Sequence, residues 1–529
     1  MGAMRRGTGG RGDRGTRWGA LILAVPLSLC TPVPSLAQCP DGTPPPCRGA
    51  RTAAAIAPNS VAVLYFDNLS RDSNDAYLAD GLTEQVIQRL GAVSRLVVKS
   101  KYSVRRYRGT DVDPRDVGRV LQVAYIGGGS VRRAGNRLRV NVELTRAATG
   151  DRVWGETYDR ADADVLAIEG EIAGAVATAI AGRLLPAERA RIGTSPTSNT
   201  SAYDHLSRGN YLIARRSPDA MRRGIAEYEA AVRADPGLTA ASAQAAFAYG
   251  IYASWEWPWP GLTRDSILAR GARAAASAVR ADSTDPVARV SLCLLGLDED
   301  RDVAGALRCL RRIPGERAAR SIDVQAIWGW ALVIAGQYDA VAEQFRRALA
   351  LDPARTIAIE IWARMLTRER RFGEARRLLD SAVAVDPEFP AAYPARARLR
   401  LLEGDTAGAL ADAQTAARLT PSVPVPFLVV VLAHSDTARA AAALRDILAT
   451  TDAAFQRTAT YGPGFAAALL AIGRRDDALA LLERITFRDY QLYGELQNPE
   501  FDALRDEPRF QRLFQIARPA TAPVWTVPR

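Results

Sequence analysis

Residues 348–421 read ALALDPARTIAIEIWARMLTRERRFGEARRLLDSAVAVDPEFPAAYPARARLRLLEGDTAGALADAQTAARLTP, and this stretch decides the fold. Asp352-Pro353, Asp386-Pro387 and Thr420-Pro421 recur every 34 residues, each behind an amphipathic helical run. Proline has no N–H to donate, so it ends the helix that precedes it. Counted back from those prolines, Gly329, Ala363 and Ala397 coincide, as do Val341, Ala375 and Ala409, and Ala348, Ala382 and Ala416. Helices that cross at close range need small side chains at the crossing. The period predicts a series of helical hairpins, each burying its apolar stripe against its neighbours.

The pattern closely resembles the tetratricopeptide repeat (TPR), with Gly336, Tyr338 and Phe345 in the best copy. Upstream, Asp235-Pro236 and Asp285-Pro286 lie 50 residues apart, so that copy holds an insertion of 16. It carries Trp255, Trp257 and Trp259, three indoles that one loop cannot bury alone. Two readings stay open: the insertion folds back onto the solenoid, or it forms an aromatic shelf for a peptide, a sugar or a membrane surface. Downstream, copies are read over 427–448 and 461–485. The repeats are thus expected over 201–487, a segment capping the last face over 488–516, and a tail over 517–529.

Ahead of the repeats, the Gly-, Ser- and Thr-rich run at 191–200 is a linker. Before it, 59–190 reads as a small α/β domain. Val61 to Phe66 is a short apolar strand, Asp75 to Leu90 has helical spacing, and Leu96 to Val98 is strand-like again. Asp113-Pro114 opens a second helix with an N-cap followed by proline. Three β-rich runs follow, 124–132, 137–145 and 152–158, separated by Ala134-Gly135-Asn136 and Thr149-Gly150-Asp151. Those separators are turn chemistry, so the runs predict an antiparallel meander, closed by a long helix over 163–185. The fold class is therefore α+β multidomain, a small α/β domain followed by an all-α solenoid.

Four stretches of this first domain resemble the TolB-like amino-terminal domain often joined to tetratricopeptide repeats in bacteria. They are Val61 to Ser70, Tyr77 to Glu84, Gly129 to Arg133 and Thr149 to Trp154. Tyr65 stands where that family usually has proline, and Ile126-Gly127-Gly128 where a Leu-Glu-Gly run is commoner. The resemblance implies a non-catalytic α/β module. The pairing also resembles the sensory half of proteins with a DNA-binding, cyclase or kinase domain in front. Here a leader occupies that place, so DNA binding and nucleotide cyclisation are expected to be absent.

That leader covers 1–37. Arg5, Arg6, Arg11, Arg14 and Arg17 precede the apolar run Gly19 to Leu29, which is too short to span a membrane and ends near Ser35-Leu36-Ala37. Cleavage after Ala37 leaves a tether over 38–58 and no membrane span, with release into the periplasm or cell envelope. A lipid anchor on Cys39 is the competing reading. Without the leader the net charge falls from +11 to +7, and nearly all the cations are Arg interleaved with Asp and Glu. This is a solvated surface rather than a phosphate-binding stripe, so no nucleic-acid partner is expected. Cys39 and Cys47 could close a Pro-rich loop after export, and Cys293 and Cys309 on two arms of one helical hairpin are either core residues or a bridge.

The chain has only His205 and His434, both within helical-repeat patterns, and lacks a P-loop, a His-Glu-x-x-His and zinc-spaced cysteines. No cofactor or metal is expected, and the chain is read as non-enzymatic. Asp80 and Glu84, four apart on one helix, could hold a cation or assist acid–base work, and Gly127-Gly128-Gly129 could cradle a phosphate; helix geometry and a β-bulge are the plainer readings. In repeats of this kind the first helix of each pair lines the concave face, which brings Trp330, Glu360, Arg364, Arg368 and Arg398 to the groove. Arginine grips planar carboxylates with a bidentate fork, so the expected ligand is an acidic segment or carboxyl terminus of a partner protein. The expected role is an exported scaffold, with a sensory or regulatory module or an envelope hydrolase as alternatives.

Overall fold

A computed structural model of the protein describes residues 56–72, 75–161, 164–300, 302–313, 321–352, 354–485, 490–519 and 522. The leader, the tether up to residue 55 with Cys39 and Cys47, Pro353, and most of the tail lie outside the described residues. Residues 56–529 form one compact unit.

Its first part is a sheet of six strands: β1 (Ser60–Val63), β2 (Asp67–Asn68), β3 (Val97–Val98), β4 (Tyr125–Ala134), β5 (Arg137–Arg146) and β6 (Arg152–Ala161). The order is β3-β1-β4-β5-β6, with β2 also on β4. β1 runs parallel to β3 and β4, and β4, β5 and β6 are antiparallel neighbours. Gly135 and Gly150 sit at φ +62° and +80° in the two meander turns, a conformation glycine adopts without a Cβ penalty. Along β5, Leu138, Val140, Val142 and Leu144 point to one face and are buried there. The helices Ala76–Gly91 and Val165–Ala181 cover that face with Leu82, Val86, Leu90, Ile168, Ile172 and Val176. The strand expected over 61–66 stops at Val63, and the closing helix is shorter than expected at both ends. The second helix, Pro114–Leu121, starts where the sequence placed it, with the Asp113 carboxylate accepting from Arg115 N at 2.9 Å.

From Thr200 onward the described chain is helical hairpins in series. The pairs are 200–213 with 218–234, 239–254 with 264–281, 286–300 with 303–311, 322–334 with 338–351, 356–368 with 372–385, 392–402 with 406–419, 427–433 with 437–450, and 462–471 with 475–483. The small positions read from the period lie at the crossings: Ala363, Ala375, Ala382, Ala397, Ala409 and Ala416 are all buried. A Cβ on Gly329 would come within 2.8 Å of the Phe345 ring. The turns inside three successive hairpins each use one left-handed residue, Gly336, Arg370 and Gly404, again 34 apart. Arg370 takes this conformation at φ +62° without being glycine. Its guanidinium donates to Asp502 at 2.6 Å and to the Gln497 carbonyl at 3.2 Å, contacts that offset the backbone cost. Cys293 and Cys309 form a disulfide across their hairpin, with Cα atoms 5.5 Å apart.

The solenoid closes on itself. Residues 460–467 and 490–501 return to the inner face of the earlier repeats. There Trp257 Nε1 donates to the Tyr461 hydroxyl at 2.8 Å, Gln491 to the Ser254 carbonyl at 2.9 Å, and Tyr338 to Gln497 Oε1 at 2.6 Å. The segment read as a terminal cap therefore divides: the helix Pro508–Ala517 packs on the last hairpin through Arg509 to Glu483, while 490–502 crosses the concave face.

Candidate functional site

The five groove residues named from the sequence, Trp330, Glu360, Arg364, Arg368 and Arg398, all line one cavity of about 250 Å³ on the concave face. Three successive first helices deliver them. Trp330 comes from Ile322–Ile334, Glu360 to Arg368 come from Thr356–Arg368 on one face at four-residue spacing, and Arg398 comes from Ala392–Leu402. The opposite wall is the returning segment, with Tyr461, Gln491, Glu495, Asn498 and Glu500.

The arginines therefore do not face an open groove. The acidic segment they meet is the chain's own. Glu495 Oε1 accepts from Arg368 Nη2 at 3.0 Å and lies 3.4 Å from Arg364 Nη1, Glu500 Oε1 accepts from Arg398 Nε at 2.6 Å, and Asp502 pairs with Arg370. Glu360 forms an ion pair with Arg364 Nε at 3.0 Å. Burial would raise the Glu495 carboxyl, but Arg368, Arg364 and Arg398 together hold it below the ordinary carboxylate range. At Glu360 burial prevails and the carboxyl sits above that range. The Arg364 guanidinium lies 5.6 Å from the Trp330 ring, and Arg398 lies 5.1 Å from Phe427, so both cations also rest on aromatic faces.

The Trp-rich insertion folds back. Trp257 is 5% exposed, and Trp255 and Trp259 are partly buried against the same core. Trp259 lies 5.0 Å from Tyr252, and Trp255 lies 5.1 Å from Trp257. The insertion carries the residues that meet the returning segment, since the Glu256 carboxylate accepts from Thr460 N at 2.7 Å beside the Trp257–Tyr461 bond. Trp255 and Trp257 line the cavity.

Outside the cavity, Asp80 and Glu84 do not form a shared cation site. Asp80 pairs with Arg108 at 2.7 Å and Glu84 with Lys101 at 2.7 Å. Among the described residues no group of three His, Cys, Asp or Glu is placed to hold a metal. Gly127, Gly128 and Gly129 lie within β4, paired to β5, and open no helix. Gly129 permits close strand approach, since a Cβ there would fall 2.2 Å from the Asn141 carbonyl oxygen. His205 pairs with Glu227 at 2.6 Å, and His434 Nδ1 lies 3.0 Å from its own helix at the Val430 carbonyl. No helix among the described residues is long and apolar enough to cross a membrane.

Burial raises the Asp80 carboxyl to about 7, with Arg108 opposing the shift. Because the folded value lies above the unfolded one of 3.8, the fold binds this proton more tightly, and stability falls as pH rises from about 4 to about 7. Asp80→Asn should remove that slope. Relative to the parent, the variant should gain on the order of 1–3 kcal/mol between about pH 5 and about pH 8 in thermal unfolding. A difference independent of pH would show that Asp80 is ionised throughout.

Glu495, Glu500 and Asp502 are the site residues that sequence reading missed. Their spacing on one acidic segment was visible, but nothing local pairs it with arginines more than one hundred positions earlier.

The chain matches no family model. It is 34% identical over 237 residues to "Putative adenylate cyclase 3" of Rhizobium meliloti (strain 1021), a match covering 44% of this chain and 40% of that protein. The chain thus spans less than half the length of this curated relative. That name overturns the expectation of a non-enzymatic chain, because the relative is described by an enzyme activity. Among solved structures the chain is similar to a tetratricopeptide repeat protein from Parabacteroides merdae, at 14% identity and TM-score 0.31, over 54% of this chain and 100% of that one. It is also similar to yeast Tom70, at 15% and 0.34 over 59% and 67%, and to a monomeric mutant of IFIT1 with Gppp-AAAA, at 16% and 0.39 over 67% and 76%.

Proposed function

We propose that this protein is a partner-binding sensory module of nucleotide-cyclase signalling, in which a closed helical-repeat ring communicates with the α/β part beside it. The observation that carries this reading is the 34% identity over 237 residues to a protein named as an adenylate cyclase. The contacts between the two parts support it. Tyr77 donates to Asp204 at 2.5 Å at the first repeat, and Arg105 pairs with Asp386 at 3.2 Å far along the array. Arg355 stacks on Tyr102 at 4.3 Å between them. A change in ring curvature would therefore be felt by the sheet and its helices at separated points.

The test is cyclic AMP. In cells that make this protein, its deletion or overproduction should change the cyclic AMP level, and a level indifferent to both would sink the reading. Purified full chain assayed with ATP, alone and with proteins crosslinked to it, then locates the chemistry. Turnover by the chain alone places it within the chain, and turnover only in the crosslinked fraction places it in a partner. The leader read over residues 1–37 adds a proposal about place: the mature chain acts outside the cytoplasm and reaches any cyclase through a membrane partner. Cell fractionation with and without residues 1–37 tests that separately.

A further inference from the structure

Ring closure changes what the concave face is able to bind. An extended peptide needs an open groove, and here residues 490–502 already lie across it. Leu492, Leu496 and Gln497 in that segment are fully buried and Phe501 nearly so. Displacing three such apolar side chains would cost roughly 1.5–3 kcal/mol each, more than a short acidic peptide recovers from exposed ion pairs. What is left is a partly open chamber of about 250 Å³, below the roughly 300–1,000 Å³ of drug-sized sites and sufficient for one or two rings.

The walls specify the occupant. Trp255, Trp257, Trp330 and Tyr461 supply flat apolar faces. Arg364 and Arg398 supply donors that the protein leaves unused. Arg398 engages Glu500 through Nε alone, and its two terminal nitrogens have no hydrogen-bond acceptor among the described residues. Arg364 holds Nε at ion-pair distance from Glu360 and Nη1 3.4 Å from Glu495, and its Nη2 has no hydrogen-bond acceptor among the described residues. A cationic guest is disfavoured, because Arg364 already occupies the Trp330 face and the four guanidinium groups of Arg216, Arg364, Arg368 and Arg398 outnumber the three carboxylates of Glu360, Glu495 and Glu500 around the space. A neutral guest would leave the guanidinium edges without acceptors.

We infer that the chamber is a binding site for a small planar aromatic carboxylate, its ring held against the indoles and its carboxylate by the free edges of Arg398 and Arg364. A carboxylate matches the guanidinium fork in two parallel hydrogen bonds, whereas a hydroxyl cannot.

The test uses purified full chain and three probes: 2-naphthoate, cyclohexanecarboxylate and 2-naphthylmethanol. Binding is followed by calorimetry and by tryptophan fluorescence. Naphthoate should bind saturably with Kd on the order of 10–100 µM, and the other two about tenfold more weakly or worse, because one lacks the ring and the other the charge. Arg398→Lys keeps the cation beside Glu500 but removes the fork, so it should weaken naphthoate about tenfold while the melting temperature stays within a degree or two of the parent. No saturable binding of naphthoate up to about 5 mM, equal affinity for all three probes, or an unchanged affinity in Arg398→Lys would each overturn the assignment. The inference does not depend on the cyclase reading, and the two experiments share no readout.

Discussion

Glu495→Leu should destabilise the closed ring by about 3–5 kcal/mol and release residues 490–505 to protease, the effect expected when one partner of a buried ion pair is removed. Glu495 lies between two guanidinium groups, and Arg368, with a side chain only 4% exposed, has no other carboxylate as close among the described residues. The substitution leaves that charge buried without a counterion. It also strands Asn498, whose side-chain amide donates to Glu495 Oε2 at 2.8 Å. Glu495→Gln, which keeps an acceptor and the volume, should fall between variant and parent. The contrast is Glu343→Leu: Glu343 pairs with Arg346 and Arg347, but all three side chains are about half exposed, so the loss should stay within about 0.5 kcal/mol. Denaturant unfolding and limited proteolysis of the three variants check the order. Equal losses for Glu495→Leu and Glu343→Leu would mean that the arginine cluster contributes nothing to closure.

Arg89→Met should produce a comparable loss at a second place, where the α/β part meets the first repeat helix. Arg89 donates to Glu169 at 3.2 Å and to the Ile192 carbonyl at 2.5 Å, and Glu169, 0% exposed, also accepts from the Tyr203 hydroxyl. Three segments thus meet on one carboxylate: the helices Ala76–Gly91, Val165–Ala181 and Thr200–Ile213. Burial holds the Glu169 carboxyl at about 7 even with Tyr203 and Arg89 opposing the shift, and without Arg89 it should rise further. A raised carboxyl is neutral below its folded value, so the penalty should be about 3–5 kcal/mol near pH 8 and clearly smaller near pH 5. Adding Glu169→Leu to Arg89→Met removes the stranded charge and should recover most of the loss. Thermal unfolding at the two pH values checks both statements. A double variant no better than the single one would show that the Ile192 contact, not the ion pair, carries the effect.

Where the sequence was legible, the interactions were local. The helix starting at Pro114 follows from an N-cap carboxylate two residues from the amide it accepts, and the meander turns follow from Gly135 and Gly150, which reach positive φ without strain. The hairpins follow from a 34-residue period and from small residues at the crossings. The resemblance to the repeat family, in which the first helix of each pair lines the concave face, placed Trp330, Glu360, Arg364, Arg368 and Arg398 in the groove, and helix geometry aligns Glu360, Arg364 and Arg368 at four-residue spacing. The boundaries differ at β1, which stops at Val63, and at the closing helix, which stops at Ala181 because Gly182 takes φ +73°.

The sequence by itself determined which side chains point inward; the tertiary structure decided what they meet. Arg364 finds Glu495 at a separation of 131 residues and Arg398 finds Glu500 at a separation of 102. Those meetings depend on the curvature of the solenoid, which is the sum of small rotations at every hairpin interface and is written in no single repeat. The insertion with Trp255, Trp257 and Trp259 shifts that sum and supplies the contacts with Thr460 and Tyr461 at which the ring closes. A groove read from periodicity thus became a chamber, because local spacing fixes the face of a helix while only the accumulated geometry of many helices brings its far end back to cover that face.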